Sequence, residues 1–348
     1  MTKRDRYIRQ ITLPQVGESG QDKLSAARVL VIGCGGLANA VLPYLVAAGV
    51  GKITLVDGDL VEESNLHRQV LFGIQDIGGS KVEAASEQLR RQSSEIDLHM
   101  LPTYLDASNA LDLFRTHDII VDTTDRIAIR YLISDAAVLT DRPVVHAALY
   151  RFQAQLTVLN YRNGPSYRDL YSEENKPEAQ RCSEAGVLGT TVGIAGLMQA
   201  QEIMKIILGV GDVLSGKLLL IDTLDNSQHD FQFEKKHQNI VTEELFRERH
   251  GGKKTFISIH EIKEASPYLL DVRTADELPL IKHEGVQQIE LQELEKEFKR
   301  LPTGREIYIF CASGIRSVQA RELLERKGHT NVQCLTEGAV ELSKELNG

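Results

Sequence analysis

The chain has 348 residues, 42% hydrophobic and 26% charged, an ordinary globular composition long enough for two domains that each bury a core. A formal charge of −9 argues against a nucleic-acid or anionic-membrane surface, since either needs a basic field. The charged start Met1-Thr2-Lys3-Arg4-Asp5-Arg6 leads into no apolar signal segment, so a cytoplasmic protein is expected.

In chain order, the β-branched runs 29–32, 53–56, 119–121 and 156–159 alternate with helical patterns from 28 to about 234. That alternation predicts an α/β fold with a Rossmann-like, mostly parallel sheet. Between 161 and 186 the periodicity gives way to Asn163-Gly164-Pro165-Ser166 and Glu173-Glu174-Asn175-Lys176-Pro177, too long for an ordinary connection and read as a functional lid carrying Cys182. The apolar stretch 187–209 is interrupted by Gln199, Gln201, Glu202 and Lys205 at spacings that leave one face polar, so it reads as an amphipathic core helix rather than a membrane span. The charged stretch 235–254, ending Gly251-Gly252-Lys253-Lys254, reads as a linker between domains 1–234 and 255–348. The second domain reads as a small α/β unit with strands near 268–272 and 306–310, the latter running into Cys311.

Two chemistries stand out. Gly33-Cys34-Gly35-Gly36, closing a strand and opening a helix, lets backbone N–H groups approach phosphate, and Asp57 ends the next strand where a ribose hydroxyl is held. Alone, these describe a nicotinamide oxidoreductase. Arg68 and Lys81 suit a triphosphate tail, however, and Asp125, in Val121-Asp122-Thr123-Thr124-Asp125, suits Mg²⁺. Together they favour ATP.

The second chemistry is a thiol. Cys311 ends a strand, and Gly314, Arg316 and a helix follow, a setting that lowers a thiol pKa and stabilises an anionic persulfide. Ala312-Ser313-Gly314 is poor core material, which weighs against an inert buried cysteine. Cys182 has the plain reading of an idle loop thiol, but its place away from any apolar period favours participation. Cys34 and Cys334 read as structural. No Cys-x-x-Cys pair occurs, which argues against a disulfide framework or zinc knuckle.

From about Arg6 to Glu234 the chain resembles the MoeB/ThiF family of adenylating enzymes, relatives of the ubiquitin-activating enzymes. The resemblance rests on Arg6-Tyr7-Ile8-Arg9-Gln10, Gly33 to Leu37, Asp57-Gly58-Asp59, Ser64-Asn65-Leu66-His67-Arg68-Gln69, Gly79-Ser80-Lys81, Thr124-Asp125 and Glu184-Ala185-Gly186. It implies Gly33, Gly35 and Gly36 at the nucleotide, Asp57 on the ribose, Asp59 among the nucleotide-binding residues, Asn65, Arg68 and Lys81 around the phosphates, and Asp125 on Mg²⁺. It also implies a homodimer in which Arg9 reaches into the other protomer's site. Three departures are visible. Ala38 stands for a glycine, and Arg126 for the usual asparagine. The four cysteines of a structural zinc site are missing, with Ser166 and Asp169 at the first pair and Glu234-Lys235-Lys236-His237 at the second, so no zinc is expected.

From Thr255 onward the chain resembles a single rhodanese domain, on Asp271-Val272-Arg273, Glu277 and the Cys311-x4-Arg316 loop. This implies that Cys311 accepts sulfane sulfur and that Arg316 holds the donor. The combination predicts ATP-dependent adenylation of the C-terminal glycine of a ubiquitin-like sulfur carrier ending in Gly-Gly. A Cys311 persulfide, loaded by a donor such as a cysteine desulfurase, then yields a thiocarboxylate, and Cys182 resolves the acyl disulfide. Molybdopterin synthesis, thiamine synthesis and tRNA thiolation all fit. A nicotinamide oxidoreductase leaves Arg68, Lys81 and Cys311 without a task. A non-catalytic scaffold that docks the carrier leaves Asp125 and Cys311 without one.

Overall fold

A computed structural model describes residues 3–93, 96–172, 186–236, 240–251, 256–264, 266–312 and 314–347. It divides into two compact units, Met1–His250 and Gly251–Gly348.

The first unit is built on one eight-stranded sheet: β1 (Arg28–Ile32), β2 (Lys52–Val56), β3 (Asp97–Leu101), β4 (Ile119–Asp122), β5 (Val144–Tyr150), β6 (Gln153–Leu159), β7 (Lys217–Asp222) and β8 (Ser227–Gln232), in the order β3-β2-β1-β4-β5-β6-β7-β8. Strands β1 to β5 pair in parallel and β6 to β8 antiparallel. Central β1 has both faces covered, as its unbroken apolar run requires. The period of two sends Val29 and Val31 into one core and Leu30 and Ile32 into the other. Chain order reverses beside β1, with β2 on one side and β4 on the other, which opens a crevice beyond their carboxyl ends.

The helix Gly189–Leu208 packs on Gly36–Ala48, and Gly196 permits the approach: a Cβ there would sit 2.6 Å from Leu37 O. Its polar interruptions do not all face solvent as the spacing predicts. Gln199 and Glu202 are buried, Gln199 donating to Asp122 O and Val145 O while Glu202 accepts from Leu214 N. Strand-end carbonyls and a turn amide need internal partners, and these side chains supply them.

The start of the polar excursion is likewise packed rather than lid-like. The helix Tyr167–Leu170 buries Tyr167, and Arg168 forks onto the fully buried Asp135 at 2.6 and 2.7 Å. The remainder, including Cys182, lies outside the described residues. Within the segment read as a linker, the helix Glu243–His250 buries Phe246 in the first unit, and His250 Nε2 lies 2.7 Å from Asp135 Oδ2.

The second unit has five parallel strands, β9 (Phe256–Ile257), β10 (Tyr268–Asp271), β11 (Val286–Gln288), β12 (Ile307–Phe310) and β13 (Val332–Leu335), ordered β11-β10-β12-β13-β9. Strand β12 is central, with Ile307 and Ile309 in one core and Tyr308 and Phe310 in the other. Cys311 is the first residue beyond it. No helix among the described residues is long and apolar enough to cross a membrane.

Candidate active sites

The glycine turn sits at the crevice of the first unit. Gly33 has φ +92, and a Cβ would meet Thr123 O and Oγ1 at 3.2 Å, so both backbone shape and space require glycine. Gly35 precedes the helix Gly36–Ala48, and a Cβ on Gly36 would lie 2.7 Å from Val192 Cγ1. Val192 and Arg68 thus pack so closely on the first turn of this helix that only glycine fits there.

Asp57 is buried and pins this turn. Its Oδ2 accepts from Cys34 N at 2.5 Å and its Oδ1 from Asp59 N at 2.7 Å. Burial, then the like charge of Asp59, pushes the Asp57 carboxyl upward. Asp59 is more open and is bonded on both oxygens, to Lys81 Nζ at 2.8 Å and to the Tyr104 hydroxyl at 2.7 Å. Burial would raise Asp59, but Lys81 outweighs it and holds the carboxyl below its ordinary value. Burial likewise works against the Lys81 ammonium, and Asp57 and Asp59 overcome it.

Asn65 is buried, and its Oδ1, Gln69 Oε1 and Ser80 Oγ have no hydrogen-bond partner among the described residues. Such atoms near the glycine turn and Lys81 suit a polar ligand. Arg68 donates to Ser64 O at 3.0 Å. Arg9 is exposed near the end of the helix Lys3–Ile11.

Asp125 is exposed just beyond β4, on a loop held from below. Asp122 Oδ1 accepts from Thr124 N and Oγ1 at 3.0 and 2.7 Å, and Arg130 donates to Thr124 O at 2.9 Å. Asp122 Oδ2 pairs with His146 Nδ1 at 2.7 Å, with both residues buried. Burial lowers the His146 pKa, so a neutral imidazole donates Nδ1–H to the carboxylate. An exposed carboxylate on a fixed loop fits Mg²⁺ that takes its other ligands from phosphate and water. Sequence reasoning missed His146 and Tyr104. A single polar residue in a β-branched run, or a tyrosine in an aperiodic loop, carries no pattern.

In the second unit, Cys311 is buried and its Sγ accepts from Gly314 N at 3.1 Å. Gly314 has φ +85 and immediately precedes the helix Ile315–Arg326. Arg316 forks onto Glu277, one bond being 2.8 Å and the other, from Nη1 to Oε1, shorter. Hydrogen bonding from Arg316 holds the Glu277 carboxyl down at about 2. Arg273, fully buried, anchors this corner through Asp271, with Nη2 to Oδ2 at 2.7 Å, and through Pro279 O at 3.0 Å. Cys334 is buried on β13, and burial pushes its thiol up to about 12. Cys34 is fully buried and also raised by burial.

At the first of the missing cysteine pairs, Asp169 Oδ2 accepts from Ser166 N and Oγ at 2.7 and 2.8 Å, and its Oδ1 accepts from Lys236 N at 2.8 Å. The carboxylate thus ties together the two segments that carry the replaced positions. Among the described residues no group of three or more His, Cys, Asp or Glu could hold a metal ion.

The model of the ThiF family matches residues 7–242, and that of the rhodanese-like domain matches 257–345. The chain belongs to the ThiF family. Within it, this ThiF protein is 35% identical over 365 residues to the probable adenylyltransferase/sulfurtransferase MoeZ of Mycobacterium tuberculosis, covering 98% of this chain and 93% of that one. It is 44% identical over 229 residues to a sulfur carrier protein adenylyltransferase of Thermus thermophilus, covering 64% of this chain and 84% of the relative. Among solved structures, Escherichia coli MccB with AMPCPP and MccA superposes with a TM-score of 0.61 at 26% identity, covering 69% of this chain and 75% of that one.

Proposed function

We propose that this ThiF protein adenylates the C-terminal glycine of a small ubiquitin-like sulfur carrier and then sulfurates it to a thiocarboxylate. The observation that carries this reading is the pairing, in one chain, of a glycine turn flanked by Lys81 with the Cys311 thiol at a helix-opening glycine. The names of the relatives support the same pair of activities.

In this reading a carrier carboxylate oxygen attacks the ATP α-phosphorus and pyrophosphate leaves with the electron pair of the broken P–O bond. Arg68, Lys81 and Arg9 of the partner subunit balance the developing charge, and the Gly35–Gly36 helix terminus faces the phosphates. Asp125 would hold Mg²⁺, which when bound neutralises the triphosphate.

A cysteine desulfurase or similar donor leaves a sulfane sulfur on Cys311, and Arg316 orients the donor. The Cys311 persulfide attacks the acyl-adenylate carbonyl carbon and AMP departs, giving an acyl disulfide. The Cys182 thiolate then attacks Cys311 Sγ, the thiocarboxylate leaves with the S–S electron pair, and two equivalents of an external thiol reduce the Cys182–Cys311 disulfide, becoming a disulfide themselves. The reaction belongs to the cytoplasm, where such disulfides are transient. The carrier, of molybdopterin-synthase or thiamine type, decides the pathway.

Carrier-dependent ATP–pyrophosphate exchange tests the reading. Asp125→Ala should lower it by about a hundredfold or more. Mixing Arg9→Ala with Asp125→Ala protomers should restore exchange, because each mixed dimer keeps one site with both residues. Normal exchange in Asp125→Ala would sink the assignment of the metal, and no recovery in freshly mixed dimers would place Arg9 in its own protomer's site.

A further inference from the structure

Lys81 stands at the first position of the helix Lys81–Gln92, where the positive end of the dipole disfavours a cation. Its side chain is only 9% exposed, and its Nζ is on Asp59 at 2.8 Å. A buried cation in so unfavourable a place is suited to an anion arriving in the crevice, and Asp59 occupies it meanwhile. The other Asp59 oxygen accepts from the Tyr104 hydroxyl at 2.7 Å. The Tyr104 ring rests on Gly58, where a Cβ would come 2.7 Å from Cε2. Over that ring lies the Arg126 guanidinium, 5.2 Å from the centroid. A continuous chain, Lys81–Asp59–Tyr104–Arg126, therefore links the residues following β2 to those following β4.

Once Lys81 turns to a triphosphate, Asp59 loses its cation while like-charged Asp57 stays beside it. Two neighbouring carboxylates in a half-buried site need a replacement positive charge. Arg126 is close enough to favour the ionised Asp59, and the Tyr104 hydroxyl fixes the carboxylate in place. We infer that Arg126, acting through Tyr104, is a positioning residue for nucleoside triphosphate binding: it holds the Asp59 charge so that Lys81 is released to the phosphates. Stacking on an aromatic face suits arginine, whose charge is spread over a plane.

The inference rests on the ATP-dependent reading above, and the test separates the two. Dissociation constants for ATP are measured by calorimetry on the full chain and on Arg126→Gln, Asp59→Asn and the double variant, with melting temperatures recorded in the absence of nucleotide. Arg126→Gln should weaken ATP binding roughly tenfold. In the Asp59→Asn background, with no charge left to balance, the same change should cost less than about twofold. Arg126→Lys, which keeps the charge but loses the planar stack, should fall between Arg126→Gln and the unaltered chain, weakening ATP binding about threefold. Melting of Arg126→Gln without nucleotide should not move, whereas Asp59→Asn, which strips Lys81 of its partner, serves only as the background for the comparison of affinities. An unchanged ATP affinity in Arg126→Gln, an equal loss in the Asp59→Asn background, or a fall in nucleotide-free melting that accounts for the loss would each overturn the inference. Failure of the unaltered chain to bind ATP would overturn the functional reading itself, and this inference with it.

Discussion

The glycine crevice of the first unit and the thiol loop of the second share a local design and differ in what they leave unsatisfied. Each follows a central parallel strand with a glycine of positive φ, Gly33 and Gly314, and opens a helix there. In the first, a carboxylate holds the turn from beneath through Cys34 N, while a second carboxylate ties up the nearby lysine. In the second, the turn amide Gly314 N already points at Cys311 Sγ, and nearby Arg316 is paired with Glu277. On the proposed function, backbone N–H groups at a strand–turn–helix junction serve a polyanion in one unit and a single sulfur in the other. On the same reading, the surrounding ion pairs govern how much negative charge each site takes.

The sharpest way to break this comparison is to remove the atom that one site is built around. Cys311→Ala should abolish sulfur transfer from thiosulfate to cyanide, while carrier-dependent ATP–pyrophosphate exchange stays within about twofold, because adenylation forms and breaks no bond to sulfur. A parallel loss of exchange would show that the two sites do not act separately.

Next in size is the foundation of the crevice. Asp57→Ala strips the acceptor from two backbone N–H groups and should destabilise the first unit by about 2–4 kcal/mol. In scanning calorimetry the first unit's transition should fall and the second unit's stay where it is. An unmoved first transition would mean that the turn is held by something else.

The smallest expected effect sharpens the thiol side. Glu277 has its carboxyl lowered from 4.5 to about 2, so its folded-state value lies below its unfolded one. Its stabilisation is therefore complete above pH 4.5 and is lost as pH falls through about 2. Both partners are 31% exposed, so the gain is about 1 kcal/mol or less. The melting difference between the unaltered chain and Glu277→Gln should be flat from neutral pH to about 5 and then close as acid is added. A difference that widens in acid would reverse the sign of the argument.

Much of this was legible in the chain itself. The runs at 29–32, 53–56 and 119–121 became β1, β2 and β4 because continuous β-branched sequence suits a strand covered on both faces. Gly33, Asp57 and Cys311 were legible as well, each being a residue type tied to a strand end. What could not be read was whatever depends on distant partners. Gln199 and Glu202 read as a solvent face because helical spacing cannot show that strand-end carbonyls and the Leu214 amide need donors and acceptors. Tyr167 and Arg168 read as part of a lid because the burial of Asp135, which demands a cation, is a tertiary fact. Asp57 read only as a ribose ligand, yet its oxygens first serve the turn.

The Asp169 clasp has a bearing on how the first unit assembles in a cell. It joins Ser166 to Lys236, positions 70 residues apart, with nothing but a carboxylate, a hydroxyl and two amides. Every component of the clasp belongs to the polypeptide itself, so these three bonds form between its own groups. Among these contacts peroxide has no thiolate to attack. On the proposed function, a protein that carries sulfur on Cys311 thereby keeps this fastening free of any thiol that the sulfur could react with.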